Sequence, residues 1–207
     1  MAEGLRELKM RAQRRAMEHA AVDLAYEEGV RAVTVDRVCA EAMVSRSTFF
    51  NYFASLDEAI FGSALVYDPA LTTDILNRHP RDLVVAASLI VMASVRGQSD
   101  DTVTQRRFAL FAREPGVTSA VSWSSDESRE RLVAVIAAWL DAHPEYARLA
   151  DTDTDHATEA RLTVGLSIAL GDEVIRHVRE VDGEVPIDLE TFHTARRRMA
   201  AISMPAE

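Results

Sequence analysis

The chain has 207 residues, 48% of them hydrophobic and 27% charged, with a formal net charge of −10 and one cysteine. That apolar content supplies a core and excludes a disordered chain, while a lone Cys39 excludes an internal disulfide framework and a cysteine-based metal cluster. The length fits one large domain or two small ones.

The acidity is unevenly spread. Residues 1–53 hold eight basic and eight acidic side chains, so the remainder carries the whole −10. The basic residues gather in an N-terminal stretch (Arg6, Lys9, Arg11, Arg14, Arg15) and recur at Arg31, Arg37 and Arg46. Such a chain would meet a polyanion through its first quarter and repel it elsewhere. The charged start MAEGLRELKMRAQRR is unlike a secretory leader. The most apolar segment, residues 83–95, is shorter than the roughly 20 residues a bilayer span takes. A cytoplasmic protein without membrane contact is expected.

In chain order, residues 1–8 read as a frayed arm. A helix is predicted over 8–28, with Met17, Ala20, Ala21, Leu24 and Ala25 on one stripe and Gly29 as its stop. Residues 34–53, TVDRVCAEAMVSRSTFFNYF, then predict two short helices, 35–42 and 46–52, separated by Met43, Val44 and Ser45. Thr34 and Ser45 are good N-cap types. Cys39 is the small residue where the two helices cross, and Val38, Ala42, Val44, Phe49 and Tyr52 can form their shared seam. This is the pattern of a helix-turn-helix. Ser55 starts a further helix, with Asp57 and Glu58 in its first turn and Ala59, Ile60, Leu65 and Val66 facing inward.

Residues 67–80 predict a helix with a bend or break near Pro69 and a stop before Pro80. An almost wholly buried helix follows over 81–97, then one over 100–113 with Phe108, Leu110 and Phe111 inward. The next is predicted over 118–142, carrying Trp123, Leu132, Val135, Ile136, Trp139 and Leu140, and is stopped by His143 and Pro144. The segment DTDTDH at 151–156 resembles the start of a calcium loop. His156 stands where that loop needs glycine and Leu162 where it needs a glutamate, so the acidic run reads as a helix N-cap. The helix it starts is predicted over 155–181, with small residues at Gly165, Ala169 and Gly171. A last helix is predicted over 188–202, with Arg196, Arg197 and Arg198 at its C-terminal end, where the dipole favours them. No strand pattern and no internal repeat is present. The expected fold is all-α: a three-helix head over 1–64 on a larger helical body over 65–207. His79, His143 and His156 make no ligand-spaced pair, so no metal is expected. The chain has no G-x-S-x-G, P-loop or G-x-G-x-x-G, so neither an enzyme nor a cofactor is expected. A protein-interaction module with a degenerate helix-turn-helix is the competing class.

The segment GVRAVTVDRVCAEAMVSRSTFFNYFASLDEAIFG, with RRAMEHAAVDLAYEEG upstream, resembles the DNA-binding region of TetR-family transcriptional regulators over about residues 12–64. Two positions depart from that pattern. Met43 replaces a usual glycine in the turn, and Leu56 replaces a usual lysine that reaches a phosphate. The resemblance implies that Arg46, Ser47, Thr48 and Asn51 face the major groove of double-stranded DNA. Arg46 would take a guanine and Asn51 an adenine. Thr34 and Tyr52 are implied phosphate contacts, and Phe50 a contact to a thymine methyl. It also implies a homodimer paired through helices 118–142 and 155–181 on a near-palindromic operator, released from DNA by a small effector. Met92, Phe108, Phe111 and Trp123 are the candidate effector residues, and an apolar lining suits a hydrophobic or aromatic molecule. RRFALFAREP at 106–115 and the TFFNYF form of the recognition helix resemble the branch with a mycofactocin-regulator-like C-terminal domain.

Overall fold

The computed structural model describes residues 4–114, 125–149, 155–181 and 185–203. Among these residues the architecture is all-α, as the periodicity predicts, with helices joined by short loops and no β-strand.

Helix α1 spans Leu5–Glu28, so the arm expected to fray is helical from its fifth residue. The Glu7 carboxylate accepts the Gly4 backbone N–H at 3.1 Å, which satisfies one of the donors a helix start leaves over. The inner stripe is buried as the spacing requires, with Met17, Ala21 and Ala25 at 0% exposure. Gly29 ends the helix at φ 88°, a region L-residues with side chains rarely enter.

Helices α2 (Val35–Glu41) and α3 (Arg46–Tyr52) follow. Each begins where a hydroxyl caps it: Thr34 accepts from the Arg37 N–H at 3.3 Å and Ser45 from the Thr48 N–H at 3.1 Å. The turn between them is a Schellman closure, with the Val44 N–H on the Cys39 carbonyl (2.9 Å) and the Met43 N–H on Ala40 (3.3 Å). That closure needs a left-handed residue at the position of Met43, and Met43 has φ 52°, the one positive φ outside glycine among the described residues. The turn therefore has ordinary helix-turn-helix geometry and carries about 1–2 kcal/mol of strain. Helix α4 (Leu56–Phe61) is capped by Ser55, while Glu58 reaches back to the Ala54 N–H at 2.7 Å. Leu56 turns inward onto the core, so the place of the usual lysine is used for packing.

The body comprises α5 (Pro69–Arg78), α6 (Leu83–Arg96), α7 (Asp101–Arg113), α8 (Asp126–Ala142), α9 (His156–His177) and α10 (Leu189–Ser203). Helix α9 packs on α6, α7, α8 and α10 and so runs through the middle of the body. Ten residues of α6 are buried, in keeping with its continuous apolar run. Pro69 opens α5 instead of bending it, because proline lacks the N–H that the first turn leaves unpaired.

Three boundaries differ from expectation. Val66 is 74% exposed because α4 stops at Gly62 and residues 62–68 are not helical, so helical spacing no longer sets its direction. Helix α9 ends at His177, four residues early. There the chain turns extended, and Glu180 meets Arg113 and the Tyr26 hydroxyl. The helix expected over 118–142 is described from Asp126, where Ser125 caps it; its first part, Trp123 included, and residues 151–154 of the acidic run lie outside the described residues.

Candidate nucleic-acid interface

The recognition segment is oriented by its aromatic residues. Phe49 and Phe53 are 0% and 1% exposed and stack 5.4 Å apart beneath α3. Arg14 of α1 lies 4.5 Å over the Phe53 ring and donates to the Tyr52 carbonyl (2.8 Å) and to Ser63 Oγ (3.0 Å). Arg14 thus closes the C-terminal end of α3 through bonds within the protein. With that face anchored, helical spacing puts Arg46, Ser47, Phe50 and Asn51 on the exposed side. Phe50 is 49% exposed and packs edge-on to Phe49.

The remaining candidates are differently placed. Thr48 is half-buried, and its hydroxyl and that of Ser47 each lie 2.8 Å from Ser45 Oγ, so the three form one small hydroxyl cluster at the helix start. Thr34 is exposed; its oxygen accepts from Arg37 N–H and its own O–H remains able to donate to a phosphate. The Tyr52 hydroxyl donates to Gln13 Oε1 at 3.1 Å, which brings the first helix and the end of α3 to one surface.

Both arginines of the helix-turn-helix are held by carboxylates. Arg46 Nη1 donates to Asp36 at 2.6 Å and Arg37 to Glu28 at 2.5 Å, all with exposed side chains. The hydrogen bond from Arg37 holds the Glu28 carboxyl below its ordinary range, and the bond to Asp36 raises Arg46. Asp36, Glu28 and Gln13 carry no sequence signal for these contacts: positions 36 and 46 sit on different helices, and only the turn brings them together. Cys39 is buried, and burial pushes its thiol up, with the Asp36 charge adding to it, so it is an unreactive packing residue.

A buried joint connects this head to the body. Arg107 of α7 is 1% exposed and fully engaged. Its guanidinium donates to the Ile60 carbonyl (2.7 Å), the Ala59 carbonyl (3.2 Å), Ser99 Oγ (2.7 Å) and Glu18 (2.8 Å). One body side chain therefore holds the last turn of α4 and the middle of α1 together. Nearby, Gln98 donates to the Ser63 carbonyl at 2.7 Å and His19 meets Asp100 at 2.6 Å.

Of the candidate effector residues, Met92, Phe108 and Phe111 are 7%, 0% and 1% exposed. Phe111 lies against Phe61 of α4 at 6.0 Å and against Phe108 at 6.4 Å. A crevice of about 400 Å³ opens at the joint, between Arg14 and Glu18 of α1 and Ala93, Ser94 and Gly97 of α6. On the outer side of α9, Leu162 (56% exposed) and Leu166 (42%) form an apolar stripe with Gly165 and Ala169. No group of three His, Cys, Asp or Glu residues able to hold a metal occurs among the described residues, and no described helix is long and apolar enough to cross a membrane.

Residues 19–58, which include α2 and α3, match the family described as bacterial regulatory proteins, tetR family. Over that segment the chain is similar to TetR-family transcriptional regulators. It is similar to the HTH-type transcriptional regulator TcmR of Streptomyces glaucescens, with 27% identity over 143 residues. That match covers 65% of this chain and spans 63% of the length of TcmR. Among solved structures it is similar to Thermus thermophilus FadR, a TetR-family repressor in complex with lauroyl-CoA, at 19% identity and a TM-score of 0.45, covering 94% of this chain and 96% of that one. Salmonella enterica GusR is also similar, at 16% identity and a TM-score of 0.44, covering 92% and 95%.

Proposed function

We propose that the protein is a sequence-specific DNA-binding repressor, not an enzyme, that acts in the cytoplasm as a homodimer and leaves its operator when a small molecule binds the body. The observation that carries this reading is the outer face of α3. Arg46, Ser47, Phe50 and Asn51 stand exposed on a capped helix whose opposite face is locked by Phe49 and Phe53. Side chains of this kind on a helix of this size read base edges in a major groove, while Thr34 and, on exchanging its bond to Gln13, Tyr52 grip phosphates at its flanks. The apolar stripe at Leu162, Gly165, Leu166 and Ala169 supports a second copy pairing through α8 and α9. A two-fold pair presents two recognition helices to a near-palindromic site.

A hydrophobic or aromatic effector is proposed at α6 and α7, with Met92, Phe108, Phe111 and Trp123 as its lining. Helix α7 supports this placement because it carries both phenylalanines and also Arg107, which holds α4. A ligand that shifts α7 moves α4 and α1 with it, by as much as its affinity differs between the two arrangements.

Selection of bound fragments from a random DNA library at fixed, near-physiological salt tests the reading. A single enriched, near-palindromic sequence is expected. Recovery of no preferred sequence, with binding insensitive to salt, would favour a protein-interaction module instead.

A further inference from the structure

We propose that Asp36 is a positioning residue for base readout: its carboxylate aims the Arg46 guanidinium at the groove. The inference rests on the DNA-binding reading of α3 and deepens it. Arg46 is the first residue of α3, at the end of a recognition helix that reaches base edges. A long side chain on an exposed surface loses much rotamer freedom when it is fixed on a base. Asp36, in the first turn of α2, holds Arg46 Nη1 at 2.6 Å before DNA arrives. The guanidinium has five N–H donors in a rigid fork, so one bond to Asp36 leaves a pair for guanine O6 and N7.

The exposure of the two groups argues against a stabilising role. Their side chains are 58% and 71% accessible, and pairs in that setting add little to folding. Their setting changes on docking, when water leaves and the interaction between them strengthens. On a wrong sequence Arg46 finds no acceptor in the groove, and the Asp36 charge then only repels the backbone. Asp36 thus favours the right site by orientation and penalises wrong ones by charge, the two sides of specificity.

The test uses the full chain, the operator recovered by selection, and the set of its single-base variants at one salt concentration. Asp36→Asn, Arg46→Ala and the double variant are compared with the unaltered protein, with thermal melting as the control for folding. Asp36→Asn is expected to weaken operator binding about tenfold and to bring the preference at one base pair close to parity. Binding to a scrambled duplex holds or tightens. Added to Arg46→Ala, Asp36→Asn is expected to cost no further discrimination. Uniformly tighter binding by Asp36→Asn with its base preferences intact would reduce Asp36 to a repelling charge and overturn the proposal. Arg46→Ala with every base preference intact overturns it too, while DNA binding itself stands. No enriched sequence from the unaltered protein overturns the DNA-binding reading and this proposal with it.

Discussion

Arg46 and Arg107 each meet a carboxylate at short range, 2.6 Å to Asp36 and 2.8 Å to Glu18, yet the first side chain is 58% exposed and the second 1%. In water the charges of the outer pair are screened, so the pair adds little to folding and the remaining guanidinium donors stay open to a further acceptor. Around the inner pair, with side chains 1% and 9% exposed, little water remains. Burial pulls the Arg107 guanidinium below its ordinary range and Glu18 opposes that shift; arginine starts so high that it remains charged. Removing either partner there leaves the other charge buried alone. The same chemical pair is a reagent on the outer face of the head and a lock between head and body.

The largest effect should come from breaking the lock. Arg107→Ala strands Glu18 and leaves the Ala59 and Ile60 carbonyls without their donor. The expected loss is about 3–5 kcal/mol of folding stability, the usual cost of an unpaired buried charge. Arg107→Met with Glu18→Leu should lose less, because no charge is left stranded. Chemical denaturation of the three proteins separates the cases. If Arg107→Ala melts like the unaltered chain, the joint is wetter than its burial implies and the contrast with Arg46 collapses.

A smaller change of opposite sign is expected in the head. Met43 is 91% exposed and sits at φ 52°, so its side chain contributes almost no packing while its backbone is strained. Met43→Gly relieves about 1–2 kcal/mol of strain and gives back a fraction of it as extra freedom of the unfolded chain. The net gain should be up to about 1 kcal/mol, read by the same denaturation experiment, with α2 and α3 unchanged in position. A loss of stability would mean that the Schellman closure does not need the left-handed residue it contains.

The sequence made the head legible because its signals are local. Thr34 and Ser45 cap the helices they were expected to cap, and Cys39, Val38 and Phe49 are buried where spacing put them. Met43 was readable as a turn residue standing where glycine is usual, and its φ of 52° within the closure shows that the backbone carries the difference as strain. The ion pairs were not readable, because Asp36–Arg46 and Glu18–Arg107 join residues 10 and 89 positions apart. The end of α9 was missed for a related reason: its pattern continues past His177, and a contact from Glu180 to Arg113 accompanies the early exit. Among the candidate site residues, Arg46 and Asn51 stand on the outer face, whereas Ser47 and Thr48 share hydrogen bonds with a capping serine.

The smallest effect should come from the second exposed pair, and it sharpens the contrast most. Glu28 holds Arg37 much as Asp36 holds Arg46, but Arg37 also donates to the Ala32 carbonyl at 3.1 Å. The guanidinium therefore keeps an anchor when Glu28→Gln removes the charge, and melting should not change, since both groups are open to solvent. DNA binding should respond instead. With one fewer acidic group beside the docking face, all duplexes should bind somewhat more tightly. The dependence of log affinity on log salt should steepen by at most about 1, the equivalent of one more phosphate neutralised. Base preferences should stay as they are, because the Arg37 guanidinium is bonded to Glu28 and Ala32 and to no residue of the recognition helix α3. Titration of one operator and one scrambled duplex over a salt series reads this directly. If Glu28→Gln alters discrimination as Asp36→Asn is expected to, the two exposed pairs are equivalent, and position beside α3 gives Asp36 no special part in readout.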